Sequence, residues 1–158
     1  MQLFKVGTKS ELMEYPVLEI LEGEAQAGKA FYILRFANDL EIGLISDDQG
    51  IFPVIQMVSD YICVFSLDTN IYRLDTKTQD ITSACLDSLI FEIYVIGDTS
   101  FIVCEIDIYA FNTYSLVEKW HISLKDIVID SQVDGEILVV DTDEKKYKID
   151  LIKGTYNL

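Results

Sequence analysis

Two kinds of hydrophobic segment alternate along this chain: short runs that are apolar at nearly every position, and stretches apolar at every second position. Residues 61–65, 101–104 and 137–140 are of the first kind, and residues 70–75, 107–112 and 146–150 follow them as the second, most regularly at 146–150 and least at 107–112, where Ile108–Phe111 are all apolar. A short continuous apolar run reads as a strand covered on both faces, whereas strict alternation reads as a strand with one covered face. Between the runs stand turn clusters such as NDL, SDDQG, LDTN, GDTS, VDGE and DTDEKK, whose Asp, Asn, Gly and Ser residues favour tight turns. Helical spacing is confined to Ser10–Tyr15, where Ser10 would cap a turn or two and Pro16 would end it. Pro53, in GIFPVIQM, lacks a ladder donor and predicts an edge strand or the beginning of one. The pattern predicts an all-β chain.

The strand pair recurs. Copies begin at Asp60, Asp98 and Asp134; within them Tyr72, Tyr109 and Tyr147 correspond, as do Leu74, Phe111 and Ile149, and then Asp75, Asn112 and Asp150, at spacings of 37 and 38. A fainter copy aligns Tyr32 with Tyr61, Phe36 with Phe65, Asp39 with Asp68 and Ile42 with Ile71. Such self-similarity marks repeat architectures in which each unit is one supersecondary module. The expected organisation is a single all-β domain over 1–158, with repeat-like units at about 30–57, 58–95, 96–132 and 133–158.

The motif of an apolar run, a turn, then an alternating strand ending in Asp or Asn resembles the strand pairs of quinoprotein-type β-propeller blades. The Trp-Asp signature of tryptophan–aspartate repeats is missing, because Trp120 is the sole Trp and His121 follows it. The resemblance implies antiparallel meander sheets, β-propeller-like, with three to four blade-like units in a small or incomplete ring; a β-sandwich of meander sheets is the other arrangement. A blade takes about 40–45 residues, so a chain of this length holds fewer than most closed rings. In a closed ring the strand Leu3-Phe4-Lys5-Val6 would pair into the last sheet and hide its edge.

Composition narrows the partners. The chain has 27 acidic and 12 basic residues, a net charge of −15, and a calculated isoelectric point of 4.2. Phosphate backbones and anionic membranes need a positive field, so neither is expected as a partner, and a basic protein is. The same charge also keeps a β-rich protein soluble and its edges apart. Half of the residues are hydrophobic, with nine Tyr and eight Phe, which predicts folding rather than disorder. Cys63, Cys85 and Cys104 form an odd, widely spaced set that suggests neither a disulfide framework nor a thiolate metal site. The first residues lack a charged segment followed by an apolar one, so a cytoplasmic location is expected.

Four stretches invite a chemical reading. Residues 23–30, GEAQAGKA, match a phosphate-binding loop except at Ala30, where Ser or Thr would hold magnesium, and the following AFYILRF reads as a strand instead of the required helix. A hairpin explains them better, and no cofactor is expected. Asp141, Asp143 and Glu144 supply alternating carboxylates, but Lys145 and Lys146 follow where a calcium loop would continue. A solvated turn is the better reading there, as it is for Asp47 and Asp48. His121 is the only histidine, which excludes His-pair metal sites, and no G-x-S-x-G elbow exists.

Trp120 beside His121 on an outer strand is either a core aromatic or an interface anchor. With no catalytic set, an enzyme is not expected; a hydrolase using paired carboxylates is the enzymatic alternative. The leading expectation is a non-catalytic protein-binding module, its candidate contact residues Asp47, Asp48, Trp120, His121, Asp141, Asp143 and Glu144. Small acidic single-domain proteins without an active site are similar in general character to bacterial immunity proteins, which would imply masking of a basic toxin such as a nuclease. The structural alternative is a half-propeller that homodimerises or completes a larger assembly, so monomer and homodimer both stay open.

Overall fold

Sixteen strands and one four-residue helix make up the regular structure of the computed structural model, which describes residues 1–23, 29–47 and 50–157. The strands form four four-stranded sheets, and the chain divides into two compact units, Met1–Cys85 and Leu86–Leu158. The expected all-β fold of repeated, blade-like sheets is what forms. No described helix is long and apolar enough to cross a membrane.

The first unit holds two sheets. Strands β1 (Gln2–Val6), β2 (Glu19–Glu22), β3 (Lys29–Arg35) and β4 (Glu41–Asp47) assemble in the order β1-β3-β4-β2. This departs from the expected meander, because β2 runs parallel to β4, Glu19 opposite Ile42 through Glu22 opposite Ile45. With neighbours on both sides, β4 is buried along its whole length. Alternation then sorts its side chains and those of β3. Tyr32, Leu34, Ile42 and Leu44 join Cys63, Phe65, Leu67, Tyr72 and Leu74 of the second sheet in one core. Ile33 and Ile45 point the other way, where Val6 and Leu12 cover them.

Leu12 lies on the helix α1 (Lys9–Leu12), whose cap is Thr8 instead of the expected Ser10. Thr8 Oγ1 accepts the Glu11 N–H at 3.1 Å, and Glu11 Oε2 accepts the Gly7 N–H at 2.8 Å. That reciprocal arrangement outcompetes a lone serine inside the turn. The strand β1 also differs from expectation. It pairs with β3, Gln2 opposite Arg35 through Val6 opposite Phe31, and not with the last sheet. Phe4 packs on Tyr15 at 5.8 Å between centroids and under the Arg35 guanidinium at 5.2 Å, contacts that exist only beside β3.

The second sheet is a meander of β5 (Ile55–Met57), β6 (Ile62–Leu67), β7 (Asn70–Asp75) and β8 (Asp80–Cys85). Pro53 precedes the edge strand β5, as its missing N–H demands. In the second unit β9 (Ile90–Ile96), β10 (Thr99–Cys104), β11 (Asp107–Asn112) and β12 (Glu118–Ser123) form the third sheet, and β13 (Val128–Asp134), β14 (Ile137–Thr142), β15 (Lys146–Asp150) and β16 (Thr155–Asn157) the fourth, both meanders. Cys63 and Cys104 are buried, and burial pushes each thiol up to about 12; Cys85 is exposed.

The repeated Asp or Asn now has a mechanism. In three sheets it ends the third strand and folds the next turn with its own side chain. Asp75 Oδ1 accepts from the N–H groups of Lys77 and Thr78 at 2.9 and 3.1 Å, Asn112 Oδ1 from Tyr114 and Ser115 at 3.1 and 3.0 Å, and Asp150 Oδ1 from Ile152 and Lys153 at 3.0 and 2.9 Å. Each turn closes four residues on, where Gln79, Leu116 and Gly154 take positive φ of 65°, 51° and 63°.

The backbone donors of Thr78 and Lys77 hold the Asp75 carboxyl below its ordinary value, and the Lys153 donor does the same for Asp150. The unfolded chain therefore takes up these protons first, so the stabilisation is complete above the ordinary aspartate value and is lost as pH falls through the lowered ones. Asn112 shows that an amide can fill the position. Asp75→Asn with Asp150→Asn is therefore expected to keep stability at neutral pH and flatten its fall in acid, read from urea midpoints between about pH 6 and 2.5. Asn112→Ala, which orphans two turn donors, is expected to cost about 1 kcal/mol.

Candidate functional site

Strand β12 carries the two residues singled out in sequence, and alternation sends them to opposite faces. Trp120 and Ile122 turn toward the core of the second unit, which contains Phe101, Ala110, Leu138 and Tyr147. The indole lies 5.8 Å from the Phe101 ring. It also lies against Gly154, where an added Cβ would come within 2.6–2.9 Å of the ring.

The indole and its neighbours line a cleft of about 520 Å³. Ile96, Thr99, Phe101, Lys119 and Trp120 form the side from the third sheet, and Gly135, Glu136, Leu151 and Ile152 the side from the fourth. Ile96 and Ile152 are exposed, Ile152 at 69%, so apolar surface extends from the cleft to its rim. Lys119 Nζ is occupied, donating to Asp98 Oδ1 at 3.0 Å and to Thr99 Oγ1 at 2.6 Å. The Lys119 ammonium beside Asp98 holds that carboxyl below its usual range. Glu136, exposed on the opposite wall, enters no ion pair among the described residues. The local balance at the cleft is thus negative, within a unit that has fourteen acidic and six basic residues.

His121 faces the other side of β12. Its Nε2 lies 3.0 Å from Asp107 Oδ1, and its ring stacks on Tyr109 with centroids 4.2 Å apart and planes within 5°. Asp107 is buried, and its other oxygen accepts the Ser88 hydroxyl at 3.0 Å. The serine is therefore bonded to the carboxylate and not to the imidazole, so the order required to activate a serine nucleophile is not made. Burial and the nearby Asp107 push the Tyr109 hydroxyl up to about 12.

The carboxylates selected in sequence stand elsewhere. Asp141 pairs with Lys146 at 3.0 Å, and Asp143 and Glu144 lie exposed on the β14–β15 hairpin. Lys145 Nζ reaches Asp126 at 3.3 Å, so the lysines that follow the acidic run are tied to acids around it. Among the described residues, no group of three or more His, Cys, Asp or Glu is placed to hold a metal ion. Asp47 is not in a solvated turn: it ends β4 and is buried, its N–H donating to Asp68 Oδ2 at 3.0 Å. Asp48 lies outside the described residues, as do residues 24–28 of the loop-like stretch. Lys29, the lysine of that stretch, opens β3 and pairs with Glu22, so a strand follows it and not a helix.

Of the residues chosen in sequence, the cleft gathers Trp120 alone. Ile96, Glu136 and Ile152 were missed. The available signal was in the repeat register, since Ile152 puts a large aliphatic side chain where the other copies have Lys77 and Tyr114.

No protein-family model matches the chain, and no curated protein matches it. Solved structures do. The WD40 domain of coronin from Toxoplasma gondii superposes with a TM-score of 0.60 at 10% identity, covering 87% of this chain and 43% of that one. BBS1N, solved in complex with ARL6DN, gives 0.51 at 13% identity, covering 100% and 57%. BamB from Moraxella catarrhalis gives 0.50 at 15% identity, covering 72% and 35%. The chain thus spans between about a third and three fifths of the structures it matches. The shared feature is the fold, sheets of the β-propeller blade type.

Proposed function

We propose that this chain is a non-catalytic protein-recognition module that holds a cationic partner through the Trp120 cleft. The observation that carries the reading is the cleft itself: an indole wall continuous with exposed isoleucines, and an uncompensated Glu136 at its mouth. Large aromatics in partly closed apolar pockets supply most of the affinity in protein interfaces, while surrounding charge sets approach rate and partner choice. Among the structural neighbours, BBS1N was solved with a protein partner, ARL6DN. A narrower form of the reading is an immunity protein that masks a basic toxin such as a nuclease; it is supported by the acidity alone.

The test is affinity capture from the native host with the wild-type chain and with Ile152→Lys. Ile152 is largely exposed, so the variant is expected to fold normally and to bind at least tenfold more weakly, because a charge of the partner's own sign replaces apolar surface at the rim. The partner is expected to be basic, with an association rate that falls as salt rises. Equal capture by both proteins, or an association rate indifferent to ionic strength, would count against the proposal.

A further inference from the structure

A second cleft, of about 310 Å³, occurs in the first unit, lined by Met57, Asp60, Tyr61 and Thr76 of the second sheet and by Met1 and residues 36–38. Counting from the corresponding tyrosines Tyr72 and Tyr147, Asp60, Tyr61 and Thr76 occupy the register positions of Gly135, Glu136 and Leu151. In each unit, then, the second of its two sheets presents the same two turns to a cleft: the one before its second strand and the one after its third. The first cleft has an indole and exposed isoleucines; this one has Tyr61, exposed at 54%, and Met57, at 40%. Each has an exposed carboxylate that enters no ion pair among the described residues, Glu136 in one and Asp60 in the other. Lys77 Nζ stands 5.8 Å from the Tyr61 ring centroid.

We infer that the Tyr61 cleft is a second docking site of the same kind, taking a bulky apolar side chain of a partner protein's extended segment, with a neighbouring Lys or Arg against Asp60. The inference rests on the proposed function. The occupant is argued from the charge of the units, thirteen acidic against six basic residues in the first and fourteen against six in the second, which attracts a cationic segment over distance. Apolar side chains in pockets with flanking opposite charge are the ordinary form of segment recognition.

The chain contains its own reporters. Trp120 is the sole tryptophan, and Met1 and Met57 are two of three methionines; the third, Met13, lies at the end of α1. The probe is the blocked peptide Lys-Lys-Leu-Phe-Lys-Lys, titrated into the full chain while the Trp120 indole and the methionine methyl groups are followed by NMR. Shifts at Met57 and Trp120 with Met13 unmoved are the expected result. Tyr61→Ala is expected to weaken the binding read at Met57 at least tenfold and to change that read at Trp120 less than twofold, and Ile152→Lys the reverse. A silent Met57 beside a responding Trp120 overturns the second site and leaves the proposed function standing. A responding Met57 beside a silent Trp120 overturns the assignment of the Trp120 cleft alone. Silence at both, or the same response to the peptide with Glu in place of Lys, overturns both.

Discussion

Asp68→Ala is expected to destabilise the first unit by about 3 kcal/mol, among the larger costs for removing one surface-loop side chain. Asp68 follows β6 in the turn to β7, yet it is 7% exposed. Its Oδ1 accepts the Ser46 hydroxyl at 2.6 Å, and its Oδ2 the Asp47 N–H at 3.0 Å. One carboxylate thus joins the hairpin of the second sheet to the last residues of β4 in the first. Bonds to a charged acceptor contribute about 1.5–3 kcal/mol each, and their loss leaves a buried N–H without that acceptor; relief from burying the charge offsets part of this. The residue also holds φ at 56°, which Asp tolerates better than Ala. Asp68→Asn keeps an acceptor and that tolerance, and is expected to cost about 1 kcal/mol. Urea unfolding followed by circular dichroism checks both: the midpoint should fall with the slope unchanged. A loss under about 1 kcal/mol for the alanine variant would show that the link is idle.

Gly154→Ala is the second large effect, expected at about 2–3 kcal/mol. Positive φ alone does not explain this glycine, because Gln79 and Leu116 hold the same turn position at φ of 65° and 51° with full side chains. What differs is the indole. A Cβ on Gly154 would sit 2.6 Å from Trp120 Cγ and 2.7 Å from Cδ2, and ring atoms cannot yield as a flexible chain end does. Alanine therefore combines backbone strain with displacement of the wall of the cleft. Gln79→Ala, where the backbone strain is already present, is expected to change stability by under about 0.5 kcal/mol. Trp120 emission provides the readout, and a shifted emission before any denaturant is added would mark the moved indole directly. Equal effects at the two positions would refute the role given to the indole.

The repeat was readable because its central device is local. Asp75, Asn112 and Asp150 each fold a turn with their own side chain at fixed offsets, so the signal survives in sequence when little else does. Tyr72, Tyr109 and Tyr147 kept the register because each sits on the central strand β7, β11 or β15. The first sheet was not readable in the same way. Alternation in β2 and β4 tells which face is covered but not which strand lies alongside, and the parallel pairing of Glu19–Glu22 joins residues far apart in the chain. Asp47 misled for a related reason: an Asp-Asp-Gln-Gly cluster suggests a solvated turn, and only the neighbouring sheet supplies the partner that buries its first residue.

The candidate site was half legible. A lone tryptophan on an outer strand drew attention to itself, whereas Ile96, Glu136 and Ile152 lie in or beside turns, where no period exists to reveal which way a side chain points. Their convergence is a property of two sheets meeting, and only the fold shows it.

The strand order β1-β3-β4-β2 has a consequence for how the chain acquires its structure. The other three sheets grow by adding each new strand to the one just formed, so every step closes a short loop. The first sheet cannot do so, because β1 and β2 have no neighbour until the β3–β4 hairpin exists between them. Both outer strands must wait for a centre that comes later in the sequence, and closing those longer loops is the slower process. During synthesis Gln2–Val6 and Glu19–Glu22 emerge before the β3–β4 hairpin that they flank, so both wait for a partner strand until that hairpin has formed.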